Sequence, residues 1–295
     1  MQKEQLSHKS GYAAIIGLPN AGKSTLLNAF LGQKLSIITP KAQTTRHRIT
    51  GIHSDDDSQI IFLDTPGIID PKYKLQEAMM AAVDKAERDA DVIIHLIDPK
   101  DKPASPEIRK ALKDLKQTKL LVINKSDLIP DKDADKIISE LTGEIDYNHF
   151  IKVSALQGKG VNELLNLIKG LMPEGPPYYP KDQLSDHPER FFISEIIREK
   201  LFLQFKQEIP YSCTVNIIDY TETEGKDQID AEIVVNRDSQ KGMIIGKKGA
   251  AIKKLGIESR KDIEAFLDKK VNLKLFVKVR EKWRENDLFV KNYGY

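Results

Sequence analysis

Gly17-Leu18-Pro19-Asn20-Ala21-Gly22-Lys23-Ser24, running on through Thr25 into LLNAFL, decides the fold of this chain. The eight residues fit G-x-x-x-x-G-K-[ST]. They stand between an apolar stretch, YAAIIG (12–17), and a helical one. Glycines let successive backbone N–H groups curl around phosphate oxygens, and a helix starting there adds partial positive charge. In such a loop Lys23 reaches the β- and γ-phosphates of a nucleotide and Ser24 ligates Mg²⁺.

Working outward, YAAIIG is the first of five short apolar runs. The others are QIIFLD (59–64), DVIIHLID (91–98), KLLVIN (119–124) and FIKVSA (150–155). The first, fourth and fifth are continuous apolar or β-branched stretches, the pattern of strands buried on both faces. Helical patterns lie between the runs, as at 105–117 and 161–171. This alternation predicts right-handed crossovers and an α/β, doubly wound sheet, whose ligands sit at the carboxyl ends of the strands.

Further motifs fall at such ends. Asn124-Lys125-Ser126-Asp127 closes the KLLVI strand. A carboxylate at Asp127 can accept two hydrogen bonds, from guanine N1–H and the exocyclic amino group, a donor pair that adenine lacks. Asp64-Thr65-Pro66-Gly67 closes QIIFLD. There Asp64 is placed to hold Mg²⁺ through a water, and Gly67 to offer its N–H to the γ-phosphate. Ser154-Ala155-Leu156 would set a backbone N–H beside the guanine carbonyl. In the polar segment 33–50, Gln43-Thr44-Thr45-Arg46 supplies a switch threonine that completes the Mg²⁺ shell while the γ-phosphate is present. Thr45 is the first choice and Thr44 the second. These residues predict a GTP site, and NKSD speaks against a P-loop kinase.

The chain has 295 residues, more than one core usually supports, so two domains are expected. Residues 172–190, MPEGPPYYPKDQLSDHPER, hold five prolines and read as a semi-rigid linker. The expected division is a nucleotide-binding domain over 1–172, a linker over 173–190 and a second domain over 191–295. Residues 1–180 balance 24 Lys/Arg against 24 Asp/Glu, whereas residues 241–284 carry 14 against 5, a net +9 that points to a polyanionic partner. The only cysteine, Cys213, can form no intrachain disulfide. The opening MQKEQLSHKS lacks the apolar core of a signal peptide, and no apolar run reaches the length of about 20 residues that a membrane helix needs. A cytoplasmic location is the expectation.

The second domain has its own rhythm. A helix is expected over 190–207, a hairpin from CTVNIIDY (213–220) and QIDAEIVV (228–235), two glycine-interrupted helices, and a last strand VNLKLFVKV. Gly246-Lys247-Lys248-Gly249 lies between the two helices. Trp283 and Tyr293 either stack on bases or pack on the domain.

The ordered set GLPNAGKS, QTTR, DTPG, NKSD and SAL resembles the small GTPase superfamily, and most closely the Era family of bacterial GTPases. The likeness runs over essentially the whole chain. The second domain resembles a KH domain of the prokaryotic type, α+β in class, in which GxxG clamps about four unpaired nucleotides. On that likeness Ile244, Ile245 and Ile252 form the apolar side of the groove where bases lie, while Gly246, Lys247, Lys248, Gly249 and Lys253 meet the RNA backbone. The resemblance implies Mg²⁺-dependent GTP hydrolysis, binding to the 3′ end of 16S ribosomal RNA, and a role in maturing the small ribosomal subunit. It also implies a monomer whose membrane contact, if it makes one, is peripheral at the inner face. Ile68 follows DTPG where Ras-like GTPases carry a water-orienting glutamine, so slow intrinsic turnover is expected, and a nucleotide-binding RNA scaffold is the competing reading. Pro19 replaces a Ras-like glycine. Asn20 matches an asparagine that coordinates K⁺ beside the phosphates in potassium-activated relatives.

Overall fold

The computed structural model describes residues 8–101 and 106–295. Residues 1–7 of the polar opening stretch, and residues 102–105 at the start of the expected helix 105–117, lie outside them. The chain divides into two compact units. The first takes in the chain up to Ser36, then Thr45–Pro71 and Met79–Asp186; the second takes in Ile37–Thr44, Lys72–Ala78 and His187–Tyr295.

The first unit is built on β1 (Lys9–Ile16), β2 (Ile49–Ser54), β3 (Ser58–Asp64), β4 (Val92–Ile97), β5 (Thr118–Ile123) and β6 (His149–Lys152). They form one sheet in the order β2-β3-β1-β4-β5-β6, parallel except for β2. All five runs read from the sequence are strands of it. β2 has no counterpart in that reading, because ITGIHS follows a polar segment and is too short to show a clear period. The helices are α1 (Lys23–Leu31), α2 (Lys74–Asp89), α3 (Pro106–Lys113), α4 (Asp131–Thr142) and α5 (Val161–Leu171). The parity of the strands divides the core. Ala14, Ile16, Ile61, Leu63 and Ile93 meet Val83 of α2 and Ile108 and Leu112 of α3, while Leu121 and Ile123 meet Ile138 and Leu141 of α4. α1 and α5 pack together beside β3. Helices on both faces explain why the central strands are apolar throughout.

The proline-rich stretch departs from expectation. Residues 173–186 do not stand free; they are tied along the first unit by backbone groups. The Ser10 N–H donates to Pro173 O and the Gly175 N–H to His8 O. Gln59 Oε1 accepts from the N–H groups of Tyr178 (2.7 Å) and Tyr179 (2.9 Å). The Ile52 N–H donates to Leu184 O at 2.8 Å, so the strap continues hydrogen bonding from β2. Prolines fix the backbone extended, and an extended chain can bond along its length. The stretch read from composition as a semi-rigid linker thus runs as a strap along the first unit through Asp186.

The carboxyl-terminal part of the second unit runs α6 (Glu189–Gln204), α7 (Ile209–Ser212), β7 (Thr214–Thr221), β8 (Asp227–Val235), α8 (Asp238–Ile245), α9 (Ala250–Leu267), β9 (Val271–Val279) and α10 (Asp287–Asn292). Its sheet has the order β7-β8-β9, with β7/β8 antiparallel and β8/β9 parallel. Along β9, Leu273, Leu275 and Val277 turn to the core while Asn272, Lys274, Phe276 and Lys278 are exposed, the period-two pattern of a one-faced sheet. Ile193, Ile197 and Leu201 of α6 meet Ile229 and Ile233 of β8 and Leu255 and Ile263 of α9 in that core. Among the described residues no helix is long and apolar enough to cross a membrane.

Candidate nucleotide and RNA-binding sites

The first site is assembled where the parallel strands end. The P-loop leaves β1 with Gly17 at φ 153°, Asn20 at φ 66° and Gly22 at φ 98°. Two glycines are required by close approach as well: a Cβ on Gly17 would lie 2.2 Å from Leu96 O, and one on Gly22 would lie 2.2 Å from Asn124 Nδ2. Lys23 opens α1, buried, and its ammonium donates to Gly17 O (3.1 Å) and Leu18 O (2.9 Å). Burial pulls its pKa down to about 8. The loop carbonyls thus hold a cation over the place where the motif puts phosphates.

Ser24, Thr45 and Asp64 converge. The Ser24 hydroxyl donates to Asp64 Oδ2 at 2.7 Å and lies 2.9 Å from Thr45 Oγ1. Asp64 is fully buried; burial pushes its pKa up to about 6, and its Oδ1 has no hydrogen-bond partner among the described residues. A buried carboxylate oxygen left open beside two hydroxyls is a hard oxygen set suited to Mg²⁺. Thr44 does not join them. Its hydroxyl donates to Lys41 O (2.7 Å) and lies 2.6 Å from Thr39 Oγ1, so it serves its own loop. Thr25 continues α1, and the buried Thr65 hydroxyl donates to Ile15 O at 2.8 Å. With Pro66 it fixes the turn that carries Gly67 to the P-loop, where a Cβ on Gly67 would meet Pro19 N at 2.6 Å. Ile68 is buried among Ile16, Leu63 and Val83, and its N–H donates to Gly17 O at 3.1 Å. Its side chain is a core residue and positions no water.

At the far end of the sheet, Asn124 binds two loops together. Its amide donates to Ala21 O (2.8 Å) and its Oδ1 accepts from the Ala155 N–H (3.0 Å). Lys125, at φ 54°, donates to Asn20 O (2.9 Å) and pairs with Asp98 (2.5 Å) at the end of β4. Asp127 stands at the surface, where its Oδ2 accepts from Gln157 Nε2 at 3.2 Å. Ser154 is buried, whereas Leu156 is 86 % exposed beside the turn. Asp98 and Gln157 escaped the sequence reading. The signal for Asp98, an acidic residue ending a strand run, was present but shared with many turns.

The second site lies in the second unit. Gly246 (φ 71°), Lys248 (φ 50°) and Gly249 (φ 78°) make a left-handed turn between α8 and α9. A Cβ on Gly246 would lie 2.6 Å from Ala251 Cβ. Lys247, Lys248 and Lys253 are exposed, and Ile245 is half-buried. Ile244 is fully buried in the core, so it supports the turn from behind and offers no surface to a base, contrary to expectation. Helical spacing explains the error: in MII only one of two adjacent isoleucines can face out. Trp283 takes the packing role; it is fully buried, its indole N–H donates to Ser212 O at 2.9 Å, and the Tyr293 ring stands edge-on to it at 5.7 Å.

Comparison with known proteins agrees with this geometry. Residues 12–125 match the family model described as 50S ribosome-binding GTPase, and residues 208–284 match the KH domain model. The chain is 43 % identical over 291 residues to GTPase Era of Lacticaseibacillus paracasei, covering 98 % of this chain and 97 % of that one. The chain belongs to the Era family of GTPases. Within the Era family it is also 47 % identical over 294 residues to the chloroplastic ERA-like GTPase of Arabidopsis thaliana, covering 98 % of this chain and 69 % of the plant protein. Among solved Era structures, a tyrosine-to-alanine variant of Aquifex aeolicus Era bound to GDP·AlF4⁻ superposes with a TM-score of 0.93 at 38 % identity, over 97 % of this chain and 99 % of that one. Era in complex with MgGDPNP and nucleotides 1506–1542 of 16S ribosomal RNA gives the same TM-score of 0.93 and 38 % identity, over 98 % and 99 %.

Proposed function

We propose that this Era-family GTPase is a GTP-driven switch that binds the single-stranded 3′-end region of 16S ribosomal RNA and acts in maturation of the small ribosomal subunit. The observation that carries the reading is the whole-chain likeness to Era holding MgGDPNP and that RNA, with a P-loop site and a GxxG turn both in place. On this reading the P-loop amides and Lys23 bind the phosphates, and Asp127 accepts the two donors of guanine. The Ala155 N–H is already committed to Asn124, so in the SAL turn Ser154 and Leu156 border the base. Ser24 holds Mg²⁺ directly, and Asp64 holds it through a water. Mg²⁺ when bound neutralises charge developing on the β- and γ-phosphate oxygens. Thr45 joins that shell, and Gly67 turns its N–H to the γ-phosphate. With Ile68 in the core, Asn20 is the residue that would hold a K⁺ beside the phosphates, and hydrolysis in K⁺ against Na⁺ buffer tests that role. On this reading the chain works in the cytoplasm as a monomer whose membrane contact is peripheral, and its likeness to a bacterial Era supports that location.

In the second unit the glycines of GKKG admit a phosphate, and the two lysines between them add charge. The test is filter binding to RNA of the 1506–1542 sequence across a salt series. Lys247→Asp with Lys248→Asp should weaken binding strongly and flatten the salt slope, since fewer counterions are released. Unchanged affinity and slope would place the RNA surface elsewhere.

A further inference from the structure

Lys41 lies four residues before Thr45, in the stretch Ile37–Thr44 that belongs to the second unit, whereas Thr45 belongs to the first. Its side chain, half-buried, donates to Phe202 O and Phe205 O. Both carbonyls stand at the end of α6, where the last four C=O groups of a helix lack partners within it and the helix dipole leaves partial negative charge. A lysine suits that place, since one ammonium on a flexible stem can serve two carbonyls. Three residues upstream, the Ile38 N–H donates at 3.0 Å to Oε1 of Glu199, which is buried on the same helix. The loop thus has two holds on α6, one through a side chain and one through its backbone. The helix is a firm support. Ile193, Ile197 and Leu201 fix it in the core of the unit, and the Gln204 amide at its last residue donates to Ala251 O of α9 at 2.8 Å.

We infer that Lys41 is a positioning residue for GTP hydrolysis: by anchoring the loop on α6 it holds Thr45 where its hydroxyl can complete the Mg²⁺ shell beside Ser24. The inference rests on the reading of Thr45 as the switch threonine. Four residues of extended chain reach at most about 14 Å, so a fixed Lys41 confines Thr45 to a small region. Without the anchor the loop must be ordered each time γ-phosphate and Mg²⁺ are bound, and every residue ordered costs conformational entropy. Only the fraction of molecules with the loop in place then presents Thr45, and the apparent Mg²⁺ affinity falls by that fraction. The GDP complex has no γ-phosphate and does not use the threonine, so it is indifferent to the anchor. Lys41 acts through Thr45 alone, at a distance from the reacting atoms.

The test uses the full chain, Lys41→Met, which keeps the apolar stem and removes the charge, Lys41→Arg, Thr45→Ala and the double variant Lys41→Met/Thr45→Ala. Mg²⁺ is titrated into the GDPNP and GDP complexes of each, and GTP hydrolysis is followed in single turnover. Lys41→Met should weaken Mg²⁺ binding in the GDPNP complex roughly 5- to 150-fold, the span of a coupling between two sites, and leave it unchanged in the GDP complex. Its hydrolysis rate at limiting Mg²⁺ should fall in step and recover in excess Mg²⁺. Lys41→Arg should regain most of both, because a guanidinium can also donate to two carbonyls. The double variant should bind Mg²⁺ no more weakly than Thr45→Ala alone, the mark of a residue that works through another. Parent-like Mg²⁺ affinity and hydrolysis in Lys41→Met, with Thr45→Ala still defective, would overturn the role of Lys41 and leave the Thr45 reading standing. Equal weakening in the GDP and GDPNP complexes, or effects of the two substitutions that multiply, would also overturn it. If Thr45→Ala itself keeps the parent Mg²⁺ affinity with GDPNP, the Thr45 reading fails and this inference fails with it.

Discussion

Gly67→Ala should break the contact between the DTPG turn and the P-loop. The added methyl would stand 2.6 Å from Pro19 N, 2.7 Å from its Cα and 2.7 Å from its ring Cγ. Two of these three atoms are backbone, so no rotamer relieves the clash and one loop must move. Overpacking of this kind costs about 1–3 kcal/mol. For a unit of this size that lowers Tm by roughly 2–12 °C. The strain should fall hardest on the GTP complex, which needs the Gly67 N–H and the P-loop in register. GTP affinity should drop roughly 5- to 150-fold, as the same energy converts at 1.4 kcal/mol per decade, with GDP affinity changing much less. Titration with fluorescent GTP and GDP analogues, alongside thermal melts, measures both. Adding Pro19→Ala removes only the ring contact and should restore little. A variant with the parent Tm and GTP affinity, or full rescue by Pro19→Ala, would refute the claim that backbone contact between the loops is what requires glycine.

Asp127→Asn should weaken GTP binding by roughly a hundredfold or more and turn preference toward xanthine nucleotides, because the amide can no longer accept both guanine donors; equal GTP affinity by titration would remove Asp127 from the base site. Thr45→Ala should bind GDP normally and lose GTP hydrolysis, while Thr44→Ala, whose hydroxyl serves only its own loop, should keep most of it; single-turnover assays separate the two. His95, buried on β4 with Nδ1 2.6 Å from the Tyr147 hydroxyl, is held neutral by burial and by the nearby Lys23, its pKa down at about 3. Its contribution is complete above the unfolded value near 6.5 and is lost as pH falls toward the folded one, at about 1.4 kcal/mol per pH unit. Asp64 and Glu87, with pKa values raised to about 6 and about 7, act in the opposite direction. The measurement is therefore the difference between the parent and His95→Gln in urea unfolding at pH 7 and pH 5. It should narrow by about 2 kcal/mol, and an equal pH dependence in both would show that His95 titrates normally.

Much of this fold was legible because its strands and motifs are local signals. GLPNAGKS, DTPG and NKSD each close a strand, and a strand buried on both faces is a continuous apolar run. α5 and β9 fall on the stretches read for them, since their periods are clean. What stayed hidden depends on partners distant in sequence. β2 owes its existence to pairing with β3, as Ile52 opposite Ile61 shows, and its own residues carry little strand pattern. Thr44 and Thr45 are adjacent and chemically alike, and only the positions of Lys41 and Ser24 tell them apart. Ile244 and Ile245 differ only in which side of α8 they occupy.

The strap over residues 173–186 sets where this protein can be cut. A fragment ending at residue 172, where composition draws the border, would strip acceptors from the amides of Ser10 and Ile52, donors from Gln59 Oε1 and Thr50 O, and one of the two acceptors of Gln59 Nε2. About four or five polar groups at the sheet's flank would then be left without partners, at about 1–3 kcal/mol for each one that stays buried. Anyone producing the nucleotide-binding unit alone should carry the chain through Asp186. A soluble, nucleotide-competent fragment is to be expected from that terminus and a sticky one from the shorter.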